Sequence, residues 1–270
     1  MNFMNAIESA WQKNNSLVCV GLDSDMAKIP THLQGLKNPL FAFNKAIVDA
    51  TADLVCAYKP QIAYYSASAA EQDLAMTIDH IHRNYPEIPV ILDAKRGDIG
   101  STAEKYVQEV FGRYKADAVT VNPYMGFDTL QPFLNQRDKG IIILCRTSNP
   151  GARDIQDLES SGKKLYQIVA HKAVNEWNDN GNALLVVGAT FPKELKEIRS
   201  IAGDMPLLVP GIGAQGGDVE QAVMNGKIRN GTGMIINSSR GIIYAGKGGA
   251  FAEVAREAAI KLRDQINQFR

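Results

Sequence analysis

An excess of charge of either sign is missing from this sequence. Its 270 residues carry 29 Lys or Arg against 29 Asp or Glu, for a formal net charge of 0. That balance speaks against a protein held electrostatically on nucleic acid or on a membrane surface. Cysteine is scarce: Cys19, Cys56 and Cys145 each lie in or beside an apolar run, with no ligand spacing between them. An odd number of such thiols fits a reducing compartment better than a disulfide framework. Long apolar runs are absent as well. The longest strand-like block is GIIILC, far short of the roughly 18 residues of a membrane helix. The start, MNFMNAIESAWQKNN, has no basic segment leading into an apolar one, so no secretory signal is expected and a cytoplasmic location is the default. Metal chemistry has no foothold either. His80 and His82 would lie about 200° apart around a helix and cannot share one ion, and no Cys or His/Asp/Glu cluster has metal spacing. No nucleophile elbow appears, and no Pro/Gly/Ser linker divides the chain, so one domain over 1–270 is expected.

What is present is a rhythm. Eight strand-length apolar runs recur: Ser16–Leu22, Val55–Pro60, Pro89–Lys95, Asp117–Pro123, Gly140–Arg146, Ala183–Ala189, Pro206–Ile212 and Gly233–Ser239. They are continuously apolar rather than alternating, as parallel strands covered on both faces must be. Amphipathic helical stretches separate them, for example Asn44–Leu54, Thr102–Tyr114, Leu165–Trp177 and Ala250–Ile266. Eight strand–helix units near the typical length of about 250 residues predict an α/β fold, a (β/α)8 TIM barrel; a doubly wound sheet is the competing arrangement. A barrel places function on the loops after its strands. That rule selects Asp23, Lys59, Asp93 with Lys95, Asn122, Arg146 to Ser148, the glycine-rich loop after Pro210, and Arg240.

The segment LDAKRGDIGSTAEKY carries the strongest signal. Asp93 and Lys95 are two apart at a strand end, so alternation directs both to one side. Asp98 follows in a Gly-flanked turn, and Ser101 or Thr102 is placed to cap the next helix. Lys59 ends the preceding strand, whose barrel neighbour lies about 4.8 Å away. The result is an alternating Lys–Asp–Lys–Asp array in a partly dry pocket. Opposite charges at close range hold the lysines protonated and the aspartates ionised. A fixed ammonium can then protonate a developing carbanion, and a fixed carboxylate beside it disfavours a substrate carboxylate, which favours decarboxylation. A salt-bridged strand end with a helix cap is the plainer alternative.

VPGIGAQGGD, after the seventh strand, leads into a helix beginning near Asp218. Gly211, Gly213, Gly216 and Gly217 allow close backbone approach to an anion. The string also matches G-x-G-x-x-G, but only 59 residues follow Gly211 and no acidic residue stands at the expected ribose position. Barrels build phosphate sites from the loops after strands 7 and 8, and Arg240 supplies a bidentate cation there. Two further segments read more plainly. Trp11 and Trp177 read as packing residues, and Asn149–Lys163 as a long loop, either a lid or merely solvated.

The motifs GLD at Asp23, YKP at Lys59, DAKRGDIGSTAEKY, NPYMG, RTSNPG and VPGIGAQGGD occur in an order that resembles the orotidine 5′-phosphate decarboxylase family. More narrowly they resemble its bacterial type 2 branch, whose core motif reads D-x-K-R-G-D-I. The resemblance runs from about Asn5 to Tyr244. It implies a homodimeric barrel that converts orotidine 5′-phosphate to UMP and carbon dioxide in pyrimidine synthesis, with no metal or organic cofactor. It further implies Lys95 as proton donor to C6, Asp93 as the carboxylate facing the substrate carboxylate, and Lys59 as its partner. Asp98 and Thr102 would enter the neighbouring subunit's site. Asp23 would bind the ribose, Ser148 the pyrimidine, and Gln215 and Arg240 the phosphate, with Pro210 lining the pocket. The loops after strands 1 and 5 are longer than in compact members of the family. Metal-dependent sugar-phosphate decarboxylases or aldolases of the same barrel type share D-x-K-x-x-D, with magnesium where Lys59 stands. A non-catalytic nucleotide-binding protein is the third reading.

Overall fold

All eight apolar runs become strands: β1 (Val18–Leu22), β2 (Ala57–Pro60), β3 (Ile91–Arg96), β4 (Ala118–Val121), β5 (Gly140–Arg146), β6 (Ala183–Val187), β7 (Leu207–Pro210) and β8 (Met234–Ser238). The structure is a computed structural model of residues 1–270, of which all but 213–216 are described. Every barrel pairing is parallel; strands adjacent in sequence pair with each other and β8 pairs with β1, so the order runs from β3 round through β8 and β1 to β2. Two bridges, Tyr58 to Val90 and Gln61 to Asp93, close β2 onto β3. The (β/α)8 expectation holds. Continuous burial along β1, β6 and β8 explains the unalternated apolar runs: one face fills the barrel and the other meets helices.

The outer layer comprises, among others, Pro39–Thr51, Glu71–Asn84, Leu165–Asn175, Pro192–Ala202 and Phe251–Asn267. An additional first helix, Phe3–Lys13, presses the Phe3 ring onto Gly140 at the start of β5, where any side chain would collide with it. Trp11 and Trp177 are both buried, as their packing role requires.

Two local expectations are corrected. The helix after β3 begins at Gly100, so Ser101 and Thr102 fall inside its first turn; its N-cap is Ile99, with no side-chain cap. The segment after β5 is not a plain loop. It contains helical turns at Pro150–Ala152 and Arg153–Gln156, then a hairpin pairing Glu159–Ser160 with Lys163–Lys164. Ser161 and Gly162 both take positive φ at its tip, as a tight primed turn demands.

Candidate active site

Asp93 is the hub of the site. Its Oδ2 accepts from the Lys59 ammonium at 2.9 Å and its Oδ1 from the Lys95 ammonium at 2.7 Å. Lys59 also lies 4.0 Å from Asp23 Oδ1, an oxygen that is buried and has no hydrogen-bond partner. Lys59 is only 5% exposed and Asp93 11%, whereas Lys95 is 47% exposed and reaches solvent. Burial disfavours the Lys59 ammonium, but the Asp93 and Asp23 carboxylates outweigh it and hold its pKa above the ordinary lysine value. Burial likewise opposes ionisation of Asp93, and Lys59 and Lys95 overcome it, holding the carboxyl below its usual range. Nearby Cys19 is no nucleophile, since burial pushes its thiol up to about 12.

The array differs from the expected one in composition and in origin. Within one chain it reads Asp23–Lys59–Asp93–Lys95. Asp98 is not its fourth member: its carboxylate accepts from the amide of Ile99, and neither Asp98 nor Thr102 lines this cavity. Simple strand alternation does not bring Asp93 and Lys95 together either. The β3–β4 register shifts so that Asp93, Ala94 and Lys95 all stand opposite the single residue Thr120. Within this bulge Lys95 takes φ +46°, a conformation costly for any residue but glycine and found preferentially where function requires it.

Around the array lies a cavity of about 620 Å³ at the C-terminal ends of the strands. Asp23, Lys59, Asp93 and Lys95 line it from the ends of β1, β2 and β3. Pro210, Gly211 and Arg240 line it from the ends of β7 and β8, with Ser148 and Asn149 from the segment after β5. Gly211 has φ +98°, and Gly217 donates to its carbonyl at 3.1 Å, tying together the described ends of the glycine-rich loop. Gly213, Gln215 and Gly216 lie outside the described residues. Arg240 opens the short helix Arg240–Ile243, and Ser239 before it donates to the Gly21 carbonyl at 3.0 Å, locking β8 to β1. Ser148 packs against Gly188, where a Cβ would come within 2.8 Å of the serine's own Cβ.

Arg146, selected as a mouth residue, is instead fully buried and absent from the cavity lining. Its guanidinium stacks over Phe191 at 4.4 Å, lies 3.4 Å from Asp157 and donates to Gln156 at 3.2 Å. Gln156 in turn accepts from the Thr147 amide at 2.9 Å. Arg146 therefore anchors the long segment from beneath, next to Ser148. Sequence reading also missed Thr120 and Asn237, both of which line the cavity; Asn237 Oδ1 is buried without a partner. The one available signal was a lone polar residue inside an otherwise apolar strand.

Among the described residues no group of three His, Cys, Asp or Glu side chains is placed to hold a metal ion. His80 pairs with Asp49 and His82 with Asp117, away from the cavity. No helix among the described residues is long and apolar enough to cross a membrane.

Strand-end charges gathered over a closed parallel barrel mark an enzyme of the (β/α)8 class that works with lysine and carboxylate side chains. Known proteins narrow the class. The sequence model of the Orotidine 5'-phosphate decarboxylase / HUMPS family matches residues 16–255, and the chain belongs to that family. It is 61% identical over all 270 residues to the orotidine 5'-phosphate decarboxylase of Dechloromonas aromatica, covering 100% of both chains. It is 59% identical to that of Ralstonia pickettii, again over 100% of each. Among solved structures, Leishmania donovani OMP decarboxylase superposes with a TM-score of 0.86 at 36% identity, covering 100% of this chain and 98% of the other.

Proposed function

We propose that this chain catalyses the decarboxylation of orotidine 5′-phosphate to UMP and carbon dioxide, the carboxy-lyase step of pyrimidine biosynthesis. The observation that carries the reading is a buried carboxylate, Asp93, clamped between two ammonium groups in a cavity that Gly211 and Arg240 also line. Family membership and full-length relatives near 60% identity support it.

The chemistry follows from the geometry. Phosphate binds at the Gly211 end beside Arg240, with Gly213, Gln215 and Gly216 assigned to it by the resemblance, while Pro210 and Ser148 border the base and the Asp23 carboxylate takes a ribose hydroxyl. This directs the C6 carboxylate toward Asp93, which is held ionised and repels it. The C6–carboxylate bond breaks, carbon dioxide leaves, and the electron pair stays on C6. Lys95 donates its proton to C6 and, being half exposed, regains one from solvent. Lys59 supplies the positive charge between Asp23 and Asp93, so the residues call for no metal or organic cofactor there.

Asp98 and Thr102 act across a homodimer interface in this reading. Ile99, Tyr124 and Met125 are exposed on the loops after β3 and β4, as is Phe127 at the start of the helix that follows β4. A Cβ placed on Gly97 would lie 3.7 Å from Met125 Cε, so the two loops meet next to Asp98, and we assign their exposed apolar residues to contact with a second copy. We place the activity in the cytoplasm, where the buried free thiols of Cys19, Cys56 and Cys145 stay reduced.

The test is to follow orotidylate absorbance with purified protein and a chelator. Turnover is expected to survive. Loss restored by magnesium would instead assign the metal-dependent sugar-phosphate reading, and binding of UMP without turnover the non-catalytic one. Arg240→Ala, which touches no reacting bond, is expected to lower kcat/KM about 10²-fold or more, because remote binding energy is used to hold the reacting centre. Near-wild-type kinetics in that variant would remove Arg240 from the phosphate site.

A further inference from the structure

We infer that Thr120 of β4 is a positioning residue that sets the geometry of the lysine–aspartate array; the inference rests on the function proposed above. Its side chain is 1% exposed, and its hydroxyl makes three hydrogen bonds. It donates to Asp93 Oδ1 at 2.8 Å and accepts from the amides of Ala94 at 3.0 Å and Lys95 at 2.9 Å. A hydroxyl offers one donor and two acceptor positions, so all are occupied.

These bonds meet at the bulge in β3. Three residues there oppose one, and two of their amides terminate on the Thr120 hydroxyl. The same hydroxyl therefore stabilises the positive-φ backbone of Lys95 and orients the carboxylate oxygen that accepts from the Lys95 ammonium. One atom couples the backbone carrying the proton donor to the carboxylate it pairs with. Valine has the same shape as threonine and can make none of these bonds; serine can make all of them.

Thr120→Val is expected to lower kcat about 100-fold, the cost of displacing a reacting group by about 1 Å, with KM and UMP affinity within about threefold of wild type. Thr120→Ser is expected to recover kcat to within about tenfold of wild type. A purely structural threonine would lower the melting temperature of Thr120→Val without this split between kcat and KM. Wild-type kcat in a folded Thr120→Val, or equal losses in both variants, would overturn the role. If the valine variant does not fold, the serine variant decides: recovery supports the hydroxyl, and a 100-fold loss refutes it. Absence of turnover in the wild type would instead bring down the proposed function, and this inference with it.

Discussion

Lys95→Ala is expected to bind UMP within about threefold of wild type while its kcat falls about 10⁴-fold, the upper end of what a positioned proton donor contributes. The split follows from geography. Lys95 pairs with Asp93 at the array, whereas Gly211 and Arg240 line the same cavity from β7 and β8, so the nucleotide's anionic end keeps its contacts. Isothermal titration with UMP and a single-turnover assay separate the two quantities. Residual turnover within tenfold of wild type would assign the proton to another group. The same variant probes the assembly. Mixed with Asp98→Ala, it should regain activity, because one hybrid site then holds an intact Lys95 and the neighbour's intact Asp98. Mixtures that stay inactive after subunit exchange would confine Asp98 to its own chain, where it does not line the cavity.

Asp93→Ala strikes both activity and folding. It leaves the Lys59 ammonium buried with only Asp23, 4.0 Å away, for company. Breaking a buried pair from one side costs about 3–5 kcal/mol, or roughly 6–20 °C in melting temperature for a chain of this size. Both lysines also lose their aim, so kcat is expected to fall about 10³-fold or more. The pH dependence has a definite sign. In the wild type the lowered Asp93 pKa gives stability that is present above the ordinary aspartate value near 4 and lost only as pH falls toward the depressed one. The raised Lys59 pKa gives stability that is present below about 10.4 and lost only above it. The wild-type contribution is therefore flat from about pH 5 to 9. In Asp93→Ala, burial is opposed only by Asp23, so the Lys59 pKa drops and the variant recovers stability as pH rises from 7 toward 10. Thermal melts should show the gap to wild type narrowing over that range. A gap that stays constant there would mean that no buried charge was left behind.

The loop rule selected Lys59, Asp93, Lys95, Asp23, Ser148, the start of the glycine-rich loop at Gly211, and Arg240, and the structure gathers all of these around one cavity; Asn122, which the rule also selected, is not part of its lining. The same rule selected Arg146, which turned inward beneath the long segment it anchors. A strand-end position specifies where a side chain starts, not which neighbours receive it. Phe191, Asp157 and Gln156 come from different segments after β5 and β6, and only their convergence makes a dry socket for a guanidinium. Thr120 was hidden for a related reason. In DAVTVNP a threonine reads as a good strand former, and its hydroxyl acquires a role only when β3 bulges against it.

The amino-acid sequence by itself determined the eight-stranded barrel and the chemical types available at its mouth. Burial on both faces writes itself locally as unbroken apolar runs, and ionisable residues just past those runs have few structural reasons to be there. Tertiary structure alone decided the register shift in β3, the left-handed backbone of Lys95, the replacement of Asp98 by Asp23 within one chain's array, and the burial of Arg146. Each of these depends on hydrogen bonds or ion pairs between segments distant in the chain, and no periodicity in one segment encodes the partner another will present.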